Sequence, residues 1–313
     1  MKNGWHTKHF LGGWKTFKSQ PALLLIAPIA SIIGLGALID SILYAYSFLF
    51  GVHGIAPALT ATTNSVLPPD LIGPTIVSLV SHPVALLVTI AVLACAILCQ
   101  TALIHVTHRH SRLRKQVSLR EAFRHALTQW PRMTLVHLAS LSAVFLLVLD
   151  MSKALDWITG PHALWFTVPI MIIDGLLILY VLTIKMLILQ FIAGDGQRFL
   201  PAVQQAWKAT WRSPALILEH NLILFVINAV AMTLLVFAVQ LLSLLTSAIG
   251  TWVFIATGNQ GAGSLLELVV FLLGSLFVAG IVASYNFATW SHLAKNIERK
   301  HLPAILQFVF RKS

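Results

Sequence analysis

Six stretches of this chain are apolar for long enough to cross a bilayer as helices: approximately Pro21–Phe50, Thr75–Val106, Met133–Asp150, Ala163–Ile192, Ala215–Ser247 and Ser264–His292. A hydrocarbon core about 30 Å thick takes about 20 such residues. Inside it the backbone has to satisfy its own hydrogen bonds, so runs of this kind fold as helices. Charged residues make up only 10% of the chain, against roughly 25% in soluble domains. The expected class is therefore an all-α integral membrane protein with six transmembrane helices. Several runs exceed what a bilayer needs, which implies tilt, kinks or protrusion. The first run follows Lys2, Lys8, Lys15 and Lys18, but it outlasts the 7–15 apolar residues of a cleaved leader and reads as a span.

The positive charge is unevenly placed. Segments 1–20, 107–132, 193–213 and 293–313 hold 4, 7, 3 and 5 Lys and Arg residues, 19 together, whereas 51–74, 151–162 and 248–263 hold only Lys153. Positive residues stay on the cytoplasmic side, so both termini are expected in the cytoplasm and the expected location is a prokaryotic cytoplasmic membrane. The net charge of +11 then belongs to anionic lipid headgroups rather than to nucleic acid. Two cysteines, Cys95 and Cys99, lie one helical turn apart in an apolar run and read as packing residues.

The basic segments also repeat. Trp14-Lys15-Thr16-Phe17-Lys18-Ser19-Gln20-Pro21-Ala22-Leu23 aligns without a gap on Trp207-Lys208-Ala209-Thr210-Trp211-Arg212-Ser213-Pro214-Ala215-Leu216. Ser118 to Pro131 has the same layout, with apolar Leu119, Ala122, Phe123, Ala126 and Leu127 at helical spacing. Leu302-Pro303-Ala304 begins a fourth copy that matches Leu200-Pro201-Ala202. The unit is an amphipathic helix followed by two spans. Three parallel repeats, about 8–107, 108–194 and 195–300, fill a single membrane domain, and 301–313 adds a terminal amphipathic helix. The basic helices are expected along the cytoplasmic interface, with Trp14, Trp130, Trp207 and Trp211 as interfacial anchors.

Polar residues within the spans are the candidate functional residues, because ionisable groups at bilayer depth are costly. Asp174 is the deepest, near the midplane of the fourth span, beside Gly175, which would let another helix approach. It reads either as a proton or cation site or as an interhelical contact, with Asn228 at matching depth. Lys185 and Glu219 fall at similar depth on antiparallel spans and could form a structural lock. His137 and His220 each stand six residues after a junction proline, Pro131 and Pro214. A pH sensor or metal contact is conceivable there, and a hydrogen bond to a neighbouring helix is the commoner use. Asp40 and Asp150 fall at the outer boundary.

His105, His108 and His110 lie among Arg109, Arg112, Arg114 and Lys115, where crowded positive charge opposes metal binding and favours anionic headgroups. Small residues at Ser275, Ala279 and Ala283, and at Gly280, Ser284 and Ala288, suit close packing of the last span on two sides. Thr257 to Ser264 is glycine-rich but lacks the Lys and Ser/Thr of a phosphate-binding loop, and is expected as a flexible outer turn.

Three copies and six spans suggest a comparison with mitochondrial carriers, but the Pro-x-[Asp/Glu]-x-x-[Lys/Arg] motif is missing. The Ala/Phe-rich stretch before Trp130-Pro131 and the run Tyr285-Asn286-Phe287-Ala288-Thr289-Trp290 instead resemble uncharacterised prokaryotic six-span proteins, similar to the membrane domain found beside glycerophosphodiester phosphodiesterases. That resemblance implies a six-span membrane domain over most of the chain. It supplies no site residue: the tyrosines followed by an acidic residue and arginine at the end of that family's last span have no counterpart here. No zinc-peptidase motif, nucleophile elbow or metal-binding carboxylate pair occurs, and no cofactor is expected. The functional expectation is a non-enzymatic accessory, assembly or membrane-homeostasis protein, with a protein partner or a second copy among its partners. The alternative is a transporter or channel for a small solute, ion or lipid that uses Asp174.

Overall fold

A computed structural model describes residues 5–20, 23–34, 83–113, 116–156, 163–258 and 260–298. Among these the secondary structure is entirely helical: α1 (Trp5–Ser19), α2 (Leu23–Ala30), α3 (Pro83–Leu113), α4 (Leu119–Asp156), α5 (Ala163–Asp195), α6 (Phe199–Arg212), α7 (Pro214–Thr257) and α8 (Gln260–Glu298). Among the described residues three segments are long and apolar enough to cross a membrane, Leu86–Leu113, Leu119–Leu147 and Ile172–Asp195. At 1.5 Å per residue each exceeds the roughly 30 Å of hydrocarbon. Shorter apolar stretches lie in α7, at Pro214–Asn228 and Leu244–Thr257. Their outward faces stay apolar, as Leu87, Leu146, Leu176 and Leu234 show. A surface of this kind is a liability in water and ordinary in lipid.

The core forms where the even-numbered apolar runs meet. α3, α5 and α8 pack on one another pairwise, and α8 also touches α1, α2 and α7. The small-residue ladder explains this central place. Ala283, Ser284 and Ala288 are fully buried, and a Cβ on Gly280 would come within 2.6 Å of the Pro28 backbone of α2. At the other end of the ladder α1 lies on α8, where a Cβ on Gly13 would meet Thr289 at 2.7 Å. Ala279 is half-buried, and the Ser275 side chain lies outside the description.

Three expectations are corrected. Gly175 mediates no close approach, since a Cβ there would meet nothing within 4 Å. The basic segment before Pro131 is not a separate short helix: α4 runs straight through that proline. The third junction does break, with Ser213 non-helical and Pro214 opening α7, the position where a missing N–H costs nothing. The glycine-rich outer turn is shorter than expected. α7 continues to Thr257, Gly258 caps it at φ +67°, and α8 begins at Gln260. Trp252 and Ile255 are exposed on the last turns of α7. Cys99 is buried as a packing residue, whereas Cys95 is exposed. The second half of the first run, Asp40, the terminal segment 301–313, Arg114 and Lys115 lie outside the described residues, as does the side chain of Asp150.

Candidate functional site

The polar side chains gather at one end of the bundle, around the C-terminus of α5. A helix end leaves carbonyl groups without intrahelical partners and carries partial negative charge. Gly196, at φ +71°, closes α5 in the left-handed conformation and donates its N–H to Ile192 O at 3.0 Å. The Ala193 carbonyl receives two imidazoles, from His105 Nδ1 of α3 at 3.1 Å and His125 Nε2 of α4 at 3.0 Å. A carbonyl has two lone pairs and can only accept, so both ring N–H groups donate to it. The two rings stack with centroids 3.9 Å apart.

Asp195 adds a carboxylate to the same end, where the helix dipole disfavours it. A histidine and an arginine answer it. His108 Nε2 lies 3.1 Å and Arg112 Nη1 3.0 Å from Oδ1, and Arg112 Nη2 reaches Oδ2 at 3.4 Å. Arg112 thus pairs with Asp195 while its side chain stays 32% exposed; Arg109 beside it is half-buried. His108 lies flat on Gly194, where a Cβ would stand 2.4 Å from its Cγ. Arg132 of α4 completes the collar, donating to Gln129 Oε1 at 2.8 Å and to the Gly196 and Gln197 carbonyls at 3.4 Å each. His110 bonds to Ser19 of α1 at 3.0 Å.

One layer deeper, α3, α5 and α8 are joined by uncharged groups. Ser291 donates to Gln190 Oε1 at 2.8 Å and Thr107 Oγ1 lies 3.1 Å from Ser291 Oγ. All three residues are fully buried. On the α5–α7 side Asn221 donates to Thr183 at 3.0 Å.

The candidates within the spans lie on α4, α5 and α7. Asp174 is 4% exposed although Ile172, Ile173 and Leu176 around it are open, so its side chain faces protein. Asn228 on α7 is likewise buried. Lys185 and Glu219 are half-buried on α5 and α7, as is His137 on α4. His220, equivalent to His137 by junction spacing, has different surroundings. It is fully buried, stacked on Phe10 of α1 at 5.3 Å and edge-on to Trp290 of α8 at 5.0 Å. Among the described residues no three His, Cys, Asp or Glu side chains are placed to hold a metal ion. His125, Asp195, Gly194 and Arg132 were missed in the sequence. The one signal for them was Gly194-Asp195-Gly196 directly after an apolar run, the pattern of a helix stop.

No protein-family model, curated protein or solved structure matches this chain.

Proposed function

We propose that this chain is a non-enzymatic, six-span protein of a prokaryotic cytoplasmic membrane, with both termini cytoplasmic, that serves as a scaffold for membrane assembly or homeostasis. In this reading three parallel repeats of an amphipathic helix and two spans build the bundle, and its polar end is the cytoplasmic end. The observation that carries the reading is the use of the polar side chains at that end. His105, His108, His125, Asp195, Arg112 and Arg132 bond to one another or to backbone across α3, α4 and α5, which is how a joint is built. The exposed Trp14, Trp207 and Trp211 supply interfacial anchoring, and Arg109, Arg114 and Lys115 supply attraction to anionic headgroups. Lys185 and Glu219 form a lock between the fourth and fifth spans. Extraction in native lipid particles should return the protein with a reproducible protein partner or an enriched anionic lipid; repeated recovery with neither would contradict the proposal.

A second reading, a transporter for a small solute or ion, is favoured by one observation, the inward-facing carboxylate of Asp174. It requires flux in reconstituted liposomes that falls when Asp174 is replaced by Asn, and absence of protein-dependent flux removes it.

A further inference from the structure

Two contacts one turn apart set the register between α3 and α8. Thr107 meets Ser291, and Lys295 donates through Nζ to the Ser111 carbonyl, both at a sequence separation of 184. A constant separation means that the two helices run side by side in the same direction. Seven residues back, two turns or about 10.5 Å, the same rows carry Gln100 and Ser284, again separated by 184. Gln100 is 1% exposed and Ser284 0%. Among the described residues neither Gln100 Oε1 nor Ser284 Oγ has a hydrogen-bond partner, and they are not bonded to each other. The layer below differs in this respect, since its hydroxyls and amide bond directly.

The chemistry of the two groups selects what fits between them. An amide oxygen only accepts, whereas a serine hydroxyl needs an acceptor for its own proton. A cation satisfies Gln100 and leaves the Ser284 proton without an acceptor, and a divalent cation would also call for carboxylates. A hydroxyl both donates and accepts. We propose that the α3–α8 seam between Gln100 and Ser284 is a binding site for one small hydroxyl species, a water molecule or a short polyol, which donates to Gln100 Oε1 and accepts from the Ser284 hydroxyl. The inference goes beyond the scaffold reading and needs only the register of α3 and α8, so either can fail without the other.

The test uses the full-length protein in lipid nanodiscs. Ser284→Ala and Gln100→Leu should each lower the thermal midpoint by about 2–4 °C, and the double variant should fall no further than the larger single, because either change releases the same occupant. Ala is the better helix former, so a fall in Ser284→Ala is not a propensity effect. An unchanged or raised midpoint for Ser284→Ala overturns the proposal, since deleting a buried polar atom without a partner relieves its desolvation cost. Radiolytic labelling with ¹⁸O-water gives a second measurement. Leu103 and Phe287, one turn away and shielded from bulk solvent, should be labelled in the wild type and not in Ser284→Ala; absence of label in the wild type overturns the site. Ethylene glycol that suppresses this label and raises the wild-type midpoint above that of the variant assigns a polyol hydroxyl. Label that persists in ethylene glycol assigns water.

Discussion

Gly194 and Gly175 both belong to α5, yet their surroundings oppose each other. The first lies under the His108 ring with no room for a methyl group, and the second opens onto space. Gly194→Ala should push His108 off Asp195 and cost about 1–3 kcal/mol, the usual range for overpacking. Gly175→Ala should be neutral or add up to about 1 kcal/mol through helix propensity. Thermal unfolding of the pair checks this, and equal effects would contradict the packing described. Asp174 was legible from depth alone, because a central carboxylate costs about 2.5–3.5 kcal/mol on insertion scales and has to turn inward. Asp174→Ala should therefore change stability or activity more than Asp150→Ala, measured by unfolding and by any flux assay; indifference to the change at Asp174 would remove the only specific residue of the transporter reading. The polar joint was not legible. His125 reads as one polar position on an amphipathic stretch, and its partner Ala193 is 68 residues away, a pairing that local pattern does not encode.

Helices are where the sequence was most informative, because apolar runs and junction prolines mark them directly. α6 (Phe199–Arg212) falls within the expected basic segment, and α5 follows its apolar run. The junction prolines Pro131 and Pro214 behaved differently for a reason visible only in three dimensions. Pro214 begins a helix, whereas Pro131 lies inside α4, where it removes a backbone hydrogen bond. Thr134 meanwhile donates to the Trp130 carbonyl at 2.9 Å. Pro131→Ala should raise stability, by up to about 3 kcal/mol, while Pro214→Ala should change it little. Denaturant unfolding of the two variants in one detergent decides the matter, and a larger effect at Pro214 would contradict the continuity of α4. The small-residue ladder of α8 marked a helix that packs closely, and Ala283, Ser284 and Ala288 are fully buried. The register of 184 between α3 and α8 could not be read in advance, since small residues permit close approach at several offsets.

At the scale of the whole molecule, the joined polar end, the apolar flanks and the charge asymmetry point the same way. The N-terminal helix α1, the C-terminal ends of α3 and α5, helix α6 and the C-terminal end of α8 meet at one end of the bundle. If that end is cytoplasmic, the segments holding 19 of the 21 Lys and Arg residues fall on one side, as the positive-inside tendency requires. Paired reporter fusions, one active only in the cytoplasm and one only outside it, test this central claim at three sites: after Ser313, within 157–162 and after Arg198. The account predicts cytoplasmic activity after Ser313 and Arg198 and external activity within 157–162. An external signal after Ser313, or the same side for 157–162 and Arg198, would contradict it.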